Sequence, residues 1–190
     1  DPGHFEKLAT ACLREMFPEC NLAIQTGVNA EGKTIRSPVD GIVSVKIDGK
    51  RELIAIHHTT SKKEDLRSKW LYGLDGDSDT SGGGAEGDVP KTAKIFKPEK
   101  QQSPDLKMTL YLTTNKEPDE KLVREVGKIT ESLSFEIVIV AASSLAHFLD
   151  STARGQWLRK QFLGVEQELL SNELLRDLCA RNLDANRPIS

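Results

Sequence analysis

The feature that most constrains the fold is the pair Asp48-Gly49, which separates two apolar runs. The first run, residues 39–47, alternates and is rich in β-branched side chains, whereas residues 53–56 are apolar without a break. Asp-Gly between two strand-like runs is a strong hairpin signal, because both turn residues must take positive φ. We therefore predict an antiparallel hairpin whose second strand is buried between two layers.

This turn also predicts the register of the hairpin. With a two-residue loop, Ile47 pairs with Lys50, and counting back along both strands places Asp40 opposite His57. The pairs between them include Val45 with Glu52 and Ile42 with Ala55. Directly opposed residues share a face, with Cβ atoms roughly 4.5–5.5 Å apart. The register therefore predicts a carboxylate beside an imidazole at one end of the hairpin, and a slip of one residue would separate them.

The composition is that of a globular chain with no general affinity for nucleic acid. At 190 residues we expect one domain with a short appendage. A net charge of −3 means that any surface for nucleic acid has to be a local patch. No stretch approaches the roughly 20 apolar residues that span a membrane.

The cysteines predict the cellular compartment, and the first residues predict that the chain is part of a longer protein. Its three cysteines match no metal-binding spacing, and an odd count without a secretory signal predicts a reducing, cytoplasmic compartment. The chain begins Asp-Pro-Gly without an initiator methionine, so we expect it to be part of a longer protein.

The order of predicted elements indicates an α/β fold. A helix over residues 5–16 and a strand over 21–28 precede the hairpin, and a helix over 61–72 follows it. Residues 74–89 are predicted to form a flexible loop, and Pro90 to begin the next helix. A strand over 106–113, a helix over 118–130 and a strand over 135–141 predict a parallel βαβ unit. Together they predict a mixed sheet with helices on both faces, followed by short helices in which Trp157 is expected to be core.

Three side chains are candidates for metal-assisted hydrolysis of a phosphodiester. Carboxylates can hold Mg²⁺, which lowers the pKa of a bound water, beside a cation or proton donor. Asp40 and Glu6 are the candidate ligands, and His57 is the candidate donor. His58 points to the opposite face of the strand, which favours a structural role. The ordinary alternatives are a strand cap, a solvated helix residue and a hydrogen-bonded histidine.

The segment Pro38-Val39-Asp40-Gly41, the helix before it and the βαβ unit after it resemble the restriction-endonuclease fold of the PD-(D/E)xK nucleases, nearest to the Mrr-like members. The resemblance covers about residues 4–150 and implies a nuclease domain over residues 1–163. It implies Mg²⁺ or Mn²⁺ as cofactor and double-stranded DNA as substrate. The aspartate of the motif falls on Asp40, and its (D/E)xK carboxylate and lysine fall on Ala55 and His57.

A series of short segments along the whole chain is similar to the N-terminal effector segment of AVAST-type antiviral STAND NTPases. The segments are His57-His58-Thr59-Thr60, Lys69-Trp70-Leu71, Gly87-Asp88, Leu112-Thr113-Thr114-Asn115, Leu149-Asp150, Gln156-Trp157-Leu158-Arg159 and Leu170-Ser171-Asn172-Glu173-Leu174-Leu175. The resemblance implies NTPase and sensor domains in the same protein, assembly as a homo-oligomer, and a helical linker over residues 164–190.

The sequence departs from the nuclease motif at two positions. Ala55 cannot bind a metal, and a histidine replaces the lysine at position 57. Three explanations are open: the carboxylate has migrated, for instance to Glu6 or a loop; the residue has been substituted to silence a toxic nuclease; or the domain is inactive. Glu52 is a poor substitute, because the register places it opposite Val45.

Five lysines are candidate contacts for the phosphates of DNA, although most such lysines are simply solvated. They are Lys62, Lys63, Lys69, Lys91 and Lys94. The favoured prediction is a Mg²⁺-dependent DNA endonuclease that acts as the effector of an antiviral NTPase. The alternatives are a degenerate nuclease fold that docks protein or DNA, and a histidine-based RNase that would cleave RNA in EDTA.

Overall fold

The computed structural model of the chain describes residues 1–26, 38–47, 49–74, 86–166, 176 and 179–180. Contacts divide the chain into two compact units, Asp1–Leu145 and Ala146–Ser190. The predicted domain boundary after residue 163 lies inside the second unit, and most of the predicted linker falls outside the described residues. In the described part of the chain, no helix combines the length and apolar character needed to cross a bilayer.

A mixed five-stranded sheet forms the centre of the first unit, with its strands in sequence order. The strands are β1 (Ile24–Gln25), β2 (Gly41–Ile47), β3 (Lys50–Thr59), β4 (Lys107–Thr114) and β5 (Glu136–Val140). The first three pair antiparallel, and β3, β4 and β5 pair parallel. The structure therefore confirms the predicted α/β class, with an antiparallel hairpin followed by parallel strands.

The hairpin register is the predicted one. Ile47 pairs with Lys50, Val45 with Glu52 and Ile42 with Ala55. Gly49 has a φ of 81°, a conformation that glycine adopts without steric cost. The paired ladder ends at Gly41 and Ile56, so Asp40 and His57 lie one position beyond it.

Helices pack on both faces of the sheet. In the first unit these helices are α1 (Pro2–Met16), α2 (Leu66–Leu71), α3 (Asp88–Gln102) and α4 (Glu120–Ser132), with 3₁₀ turns at Pro18–Cys20 and Lys63–Asp65. Two further helices follow along the chain: α5 (Ala142–Ser151), which crosses the boundary at residue 145, and α6 (Ala153–Leu163), which belongs to the second unit. The main hydrophobic cluster joins α2, α3 and α4 to β3 and β4 through residues such as Trp70, Phe96 and Leu110. On the other face, Thr10 of α1 contacts His58 of β3.

Two predicted boundaries were wrong or only partly observed. The strand predicted over residues 21–28 is limited to β1, and the residues beyond 26 lie outside the described part of the chain. The predicted loop over 74–89 is too long, because α3 begins at Asp88 and Pro90 is its third residue rather than its first. Both residues suit this place, since a carboxylate is favoured at a helix N-terminus and proline is tolerated in the first turn.

The prediction that Trp157 is core was also wrong. Its side chain is 52% exposed on α6. This helix instead buries Ala153, Gly155 and Leu158. Small side chains let the backbone of one helix approach another closely, which is a packing mode that a search for large apolar residues does not detect.

The start of α3 is fastened to the end of α2 through Gly87. Its N–H donates to the carbonyl of Tyr72 at 2.9 Å. A Cβ at this position would lie 2.7 Å from the carbonyl oxygen of Trp70. A residue with any side chain would therefore push the two helices apart.

We expect Gly87→Ala to destabilise the protein by about 1–3 kcal/mol, because the backbone has to shift to admit the methyl group. Gly127→Ala is the control, since it lies in α4 with no atom within 4 Å of the added Cβ. The control should gain up to about 1 kcal/mol from helix propensity. Urea unfolding measures both, and equal stability of the two variants would contradict the close approach.

Candidate functional site

Polar side chains gather at the edge of the sheet where the parallel strands β3 and β4 end. Asp40 directly precedes β2, and His57 lies two residues before the end of β3. Because β2 runs antiparallel to β3, the start of one and the end of the other meet at this edge. In α/β sheets, ligands commonly bind beyond the carboxyl ends of the parallel strands.

Asp40 is held in place by two hydrogen bonds to the backbone of β3. Its Oδ2 accepts a hydrogen bond from the backbone N–H of His58 at 2.7 Å. Its own N–H donates to the carbonyl of Ile56 at 3.0 Å. Burial raises the pKa of Asp40, and the hydrogen bond from His58 and the nearby His57 oppose that rise.

His57 lies between two carboxylates. Its Nδ1 is 3.8 Å from Oδ2 of Asp40 and 3.5 Å from Oδ1 of Asp88. Its Nε2 is 3.2 Å from the hydroxyl of Thr92, and that hydroxyl donates to the carbonyl of Asp88. Since a hydroxyl has a single hydrogen, the threonine oxygen accepts from Nε2–H, and a neutral ring then turns the lone pair of Nδ1 toward the carboxylates.

The ring of His57 is therefore not equivalent to the lysine of the nuclease motif. Burial lowers the pKa of His57, although Asp88 and Asp40 act in the opposite direction. A histidine whose pKa falls below its ordinary value is neutral at neutral pH. His57 does not supply the permanent positive charge that a lysine at this position would have.

Asp88 is the site residue that the sequence interpretation missed. It is the first residue of α3 and its side chain is only 1% exposed. Its Oδ1 lies 2.9 Å from Nζ of Lys69 and 3.8 Å from Nζ of Lys91. Its Oδ2 is buried and has no hydrogen-bond partner among the described residues. The sequence signal for Asp88 was the run Gly87-Asp88-Val89-Pro90, in which a glycine, an aspartate and a proline together are typical of the start of a helix.

Glu6 joins the same group of charges from α1. The side chain is buried, and its Oε2 has no hydrogen-bond partner among the described residues. Burial, followed by the negative charge of Asp40, raises the pKa of Glu6 to about 7, and Lys69 opposes the rise. Glu6 also lines a cavity of about 150 Å³ with Phe5, His58 and Ser61. The two predicted metal ligands are therefore close enough to repel each other.

His58 lies on the opposite face of β3 from His57 and connects three elements. Its Nε2 is 2.8 Å from the hydroxyl of Thr10 on α1, and its Nδ1 contacts the hydroxyl of Thr113 on β4. The ring of Phe5 meets it edge-on. Burial lowers the pKa of His58 to about 3, so the ring is neutral at neutral pH. These contacts fit a structural role that keeps α1 on the sheet.

Position 55, where the nuclease motif has a carboxylate, is part of the apolar core. Ala55 is fully buried and belongs to the same hydrophobic cluster as Leu66 and Trp70. A carboxylate in such a place would lose its hydration without gaining a partner.

The five predicted DNA-binding lysines fall into two groups. Lys69 and Lys91 lie near Asp88, and Lys94 is 2.8 Å from Glu86. Lys62 and Lys63 are exposed at the 3₁₀ turn that follows β3. All three lysines of the first group are paired with carboxylates, although the side chain of Lys94 is itself 73% exposed.

A complete metal cage is not formed by the side chains alone. Across the residues whose placement the structure gives, no set of three or more His, Cys, Asp or Glu side chains could hold a metal ion.

We expect Glu6→Gln to become more stable relative to the wild type as pH rises. Between pH 4.5 and about 7 the folded protein keeps a proton on Glu6 that the unfolded chain releases, so this group lowers stability as pH rises. The difference between the variants should change by up to about 3 kcal/mol from about pH 4 to about pH 8. Urea unfolding across this range measures it. Glu131→Gln, at an exposed position of α4, is the control, and parallel pH profiles for all three proteins would contradict the raised pKa.

Comparison of the sequence with known proteins does not assign it to a family. No protein-family model matches the sequence, and no curated protein matches it either. The likeness of the hairpin to the PD-(D/E)xK motif therefore stays a prediction, and any function has to be inferred from the chemistry of the side chains.

Proposed function

We propose that this chain is a Mg²⁺-dependent DNA endonuclease domain with a restriction-endonuclease-like fold. The order of its elements supports this: α1, three antiparallel strands, two helices, and then parallel strands joined through α4. That order is the one the resemblance to PD-(D/E)xK nucleases implies. Asp40 stands at the start of the second strand, where that motif has its aspartate.

The observation that carries the proposal is the pair Glu6 and Asp40. Burial, followed by the negative charge of Asp40, raises the pKa of Glu6, and Glu6 has an oxygen without a hydrogen-bond partner among the described residues. Two carboxylates that repel each other are stabilised by a cation between them. Mg²⁺ is commonly held by one or two carboxylates together with waters and substrate phosphates, so this pair fits the ion without a third side chain.

Each side chain then has a defined role. Asp40 and Glu6 would hold the ion, which when bound supplies a water of lowered pKa and neutralises charge on the phosphoryl group. His57, neutral and fixed through Thr92, presents Nδ1 as a proton acceptor at the same edge. His58 fixes Asp40 through its backbone N–H and α1 through its ring.

The biological setting follows from the second resemblance. As the effector of an antiviral STAND NTPase, the domain would act when the parent protein brings several copies together on double-stranded DNA. Two nuclease domains that meet on a duplex can cut both strands, so we expect cleavage by this chain to rise steeply with its concentration.

The test compares plasmid cleavage and metal binding by wild type and Asp40→Asn. We expect Mn²⁺ binding by calorimetry in the wild type and its loss in the variant, because one of two carboxylate ligands is gone. Cleavage with Mg²⁺ or Mn²⁺, measured at increasing protein concentration, should fall by at least about 100-fold, as for other groups that stabilise transition-state charge. Asp105→Asn, at an exposed position, is the control. Equal cutting and equal heats for all three proteins would remove Asp40 from the mechanism.

A second candidate is a degenerate nuclease fold that docks protein or DNA. The burial of Ala55 in the apolar core favours it, because the usual carboxylate is missing there. This candidate predicts stable folding, DNA or protein binding, and no heat of Mn²⁺ binding even at high concentration. Cleavage of RNA in EDTA would instead support a histidine-based RNase, and it would contradict both the endonuclease and the degenerate docking fold.

DNA binding should depend on the exposed lysines at the end of β3. The double variant Lys62→Ala, Lys63→Ala should lower the slope of log K against log salt by about 2, since each lysine that contacts a phosphate contributes about one released ion. Fluorescence anisotropy with a labelled duplex measures the slope. Lys46→Ala combined with Lys50→Ala is the matched control, because both lysines lie near the other end of the hairpin. If the two double variants give the same slope, DNA does not cross the edge that carries the site.

A further inference from the structure

We propose that Lys69, held by Asp88, supplies the positive charge that the nuclease motif places at position 57. The inference rests on the proposed function and assigns a catalytic residue that the motif does not contain. Lys69 would contact the scissile phosphate, and Asp88 would be a positioning residue that fixes Lys69.

The geometry is a continuous series of contacts. Nζ of Lys69 lies 2.9 Å from Oδ1 of Asp88, and that oxygen lies 3.5 Å from Nδ1 of His57. The same Nδ1 lies 3.8 Å from Oδ2 of Asp40. The ammonium group is therefore connected to the carboxylate that the motif assigns to the metal through three contacts, by way of Asp88 and His57. Burial raises the pKa of both Glu6 and Asp40, and the charge of Lys69 opposes that rise.

The exposure of the two partners differs in the way that the proposed role requires. The side chain of Asp88 is 1% exposed, whereas that of Lys69 is 36% exposed. A buried carboxylate fixes the position of the ammonium group, and the partly exposed ammonium group keeps hydrogens available for a ligand. An ion pair in which both groups are solvated would not be held in one geometry.

Both partners are also held by their own helices. Trp70, next to Lys69, is fully buried and fixes α2 against the core. Gly87, next to Asp88, is in close contact with the end of α2. Asp88 itself stands at the N-terminus of a 15-residue helix, where a negative charge is favoured. The pair is therefore built into the contact between α2 and α3.

The reaction step needs no change in the protonation of Lys69. The oxygen of a water forms a bond to phosphorus while one ester P–O bond breaks. The proton of that water passes to Nδ1 of His57, and the leaving oxygen takes a proton from solvent. During this exchange Lys69 donates a hydrogen bond to a non-bridging phosphate oxygen, and its charge stabilises the added negative charge in the transition state.

Cleavage kinetics with the wild-type chain and Lys69→Ala test the role. We expect kcat to fall by about 100- to 1000-fold with a smaller change in KM, as when a group that acts in the transition state is removed. Added ethylammonium should restore part of the activity of Lys69→Ala, a result that a purely structural role would not give. Lys97→Ala, at an exposed position of α3, is the control and should behave as wild type with and without the amine.

A second pair of variants separates folding from catalysis. Lys69→Met leaves Asp88 without its nearest cation, so the melting temperature of this variant should lie below that of the wild type. Adding Asp88→Asn removes the unpaired buried charge and should restore the melting temperature while activity stays low. Asp88→Asn alone should lower kcat less than Lys69→Ala, because Lys69 keeps its charge but loses its fixed position.

Asp40→Asn serves as the reference for interpreting a negative result. If the wild type cleaves DNA, Asp40→Asn does not, and Lys69→Ala retains wild-type kcat, then the assignment of Lys69 is wrong and the nuclease proposal stands. If Lys69→Ala is slow but ethylammonium restores nothing while the Lys69→Met, Asp88→Asn protein recovers full activity, the pair is structural only. If the wild type neither cleaves DNA nor binds Mn²⁺, the proposed function itself fails.

Discussion

The pairing of β2 with β3 determines where Asp40 and His57, the centre of the candidate site, lie. The ladder ends at Gly41 and Ile56, and the next residues on each strand are Asp40 and His57. The hydrogen bond from the backbone of His58 to Asp40 extends the pairing beyond the ladder through a side chain. A shift of one residue would turn His57 toward α1 and His58 toward α3, which would remove the imidazole from between the carboxylates.

Several ionisable groups are buried near this end of the hairpin, and the partners of most of them offset the cost of losing hydration. The carboxylate of Asp88 is stabilised by the charges of Lys69 and Lys91 and by the N-terminus of α3. The carboxylate of Asp40 is stabilised by a hydrogen bond from a backbone N–H. Glu6 has no comparable partner among the described residues, and its raised pKa is the physical result. Charges that a stable core would exclude are more common at sites that bind or react, although structural ion pairs also perturb pKa values.

The sequence was sufficient for the sheet but not for the whole site. The hairpin and its register follow from local rules, namely a two-residue turn and strict alternation, so Asp40 and His57 could be placed by counting. The contact of Lys69 with Asp88 depends on how α2 packs against α3, and the Gly- and Asp-rich residues between them carry no pattern that predicts it. For the same reason the sequence predicts the first two residues of α3 as loop. It also predicts Trp157 as core together with Leu158 and Phe162, whereas Trp157 is exposed.

The pKa of about 7 on Glu6 has a consequence for any ion that enters between α1 and the hairpin. Hydrogen ions and divalent cations compete for the same carboxylate, so the two occupancies are linked. Mild acidification protonates Glu6 and weakens its attraction for a cation. A bound cation, in turn, favours loss of that proton and lowers the pKa of Glu6. A cation held between Glu6 and Asp40, as proposed here, would therefore bind more weakly as the pH falls below about 7.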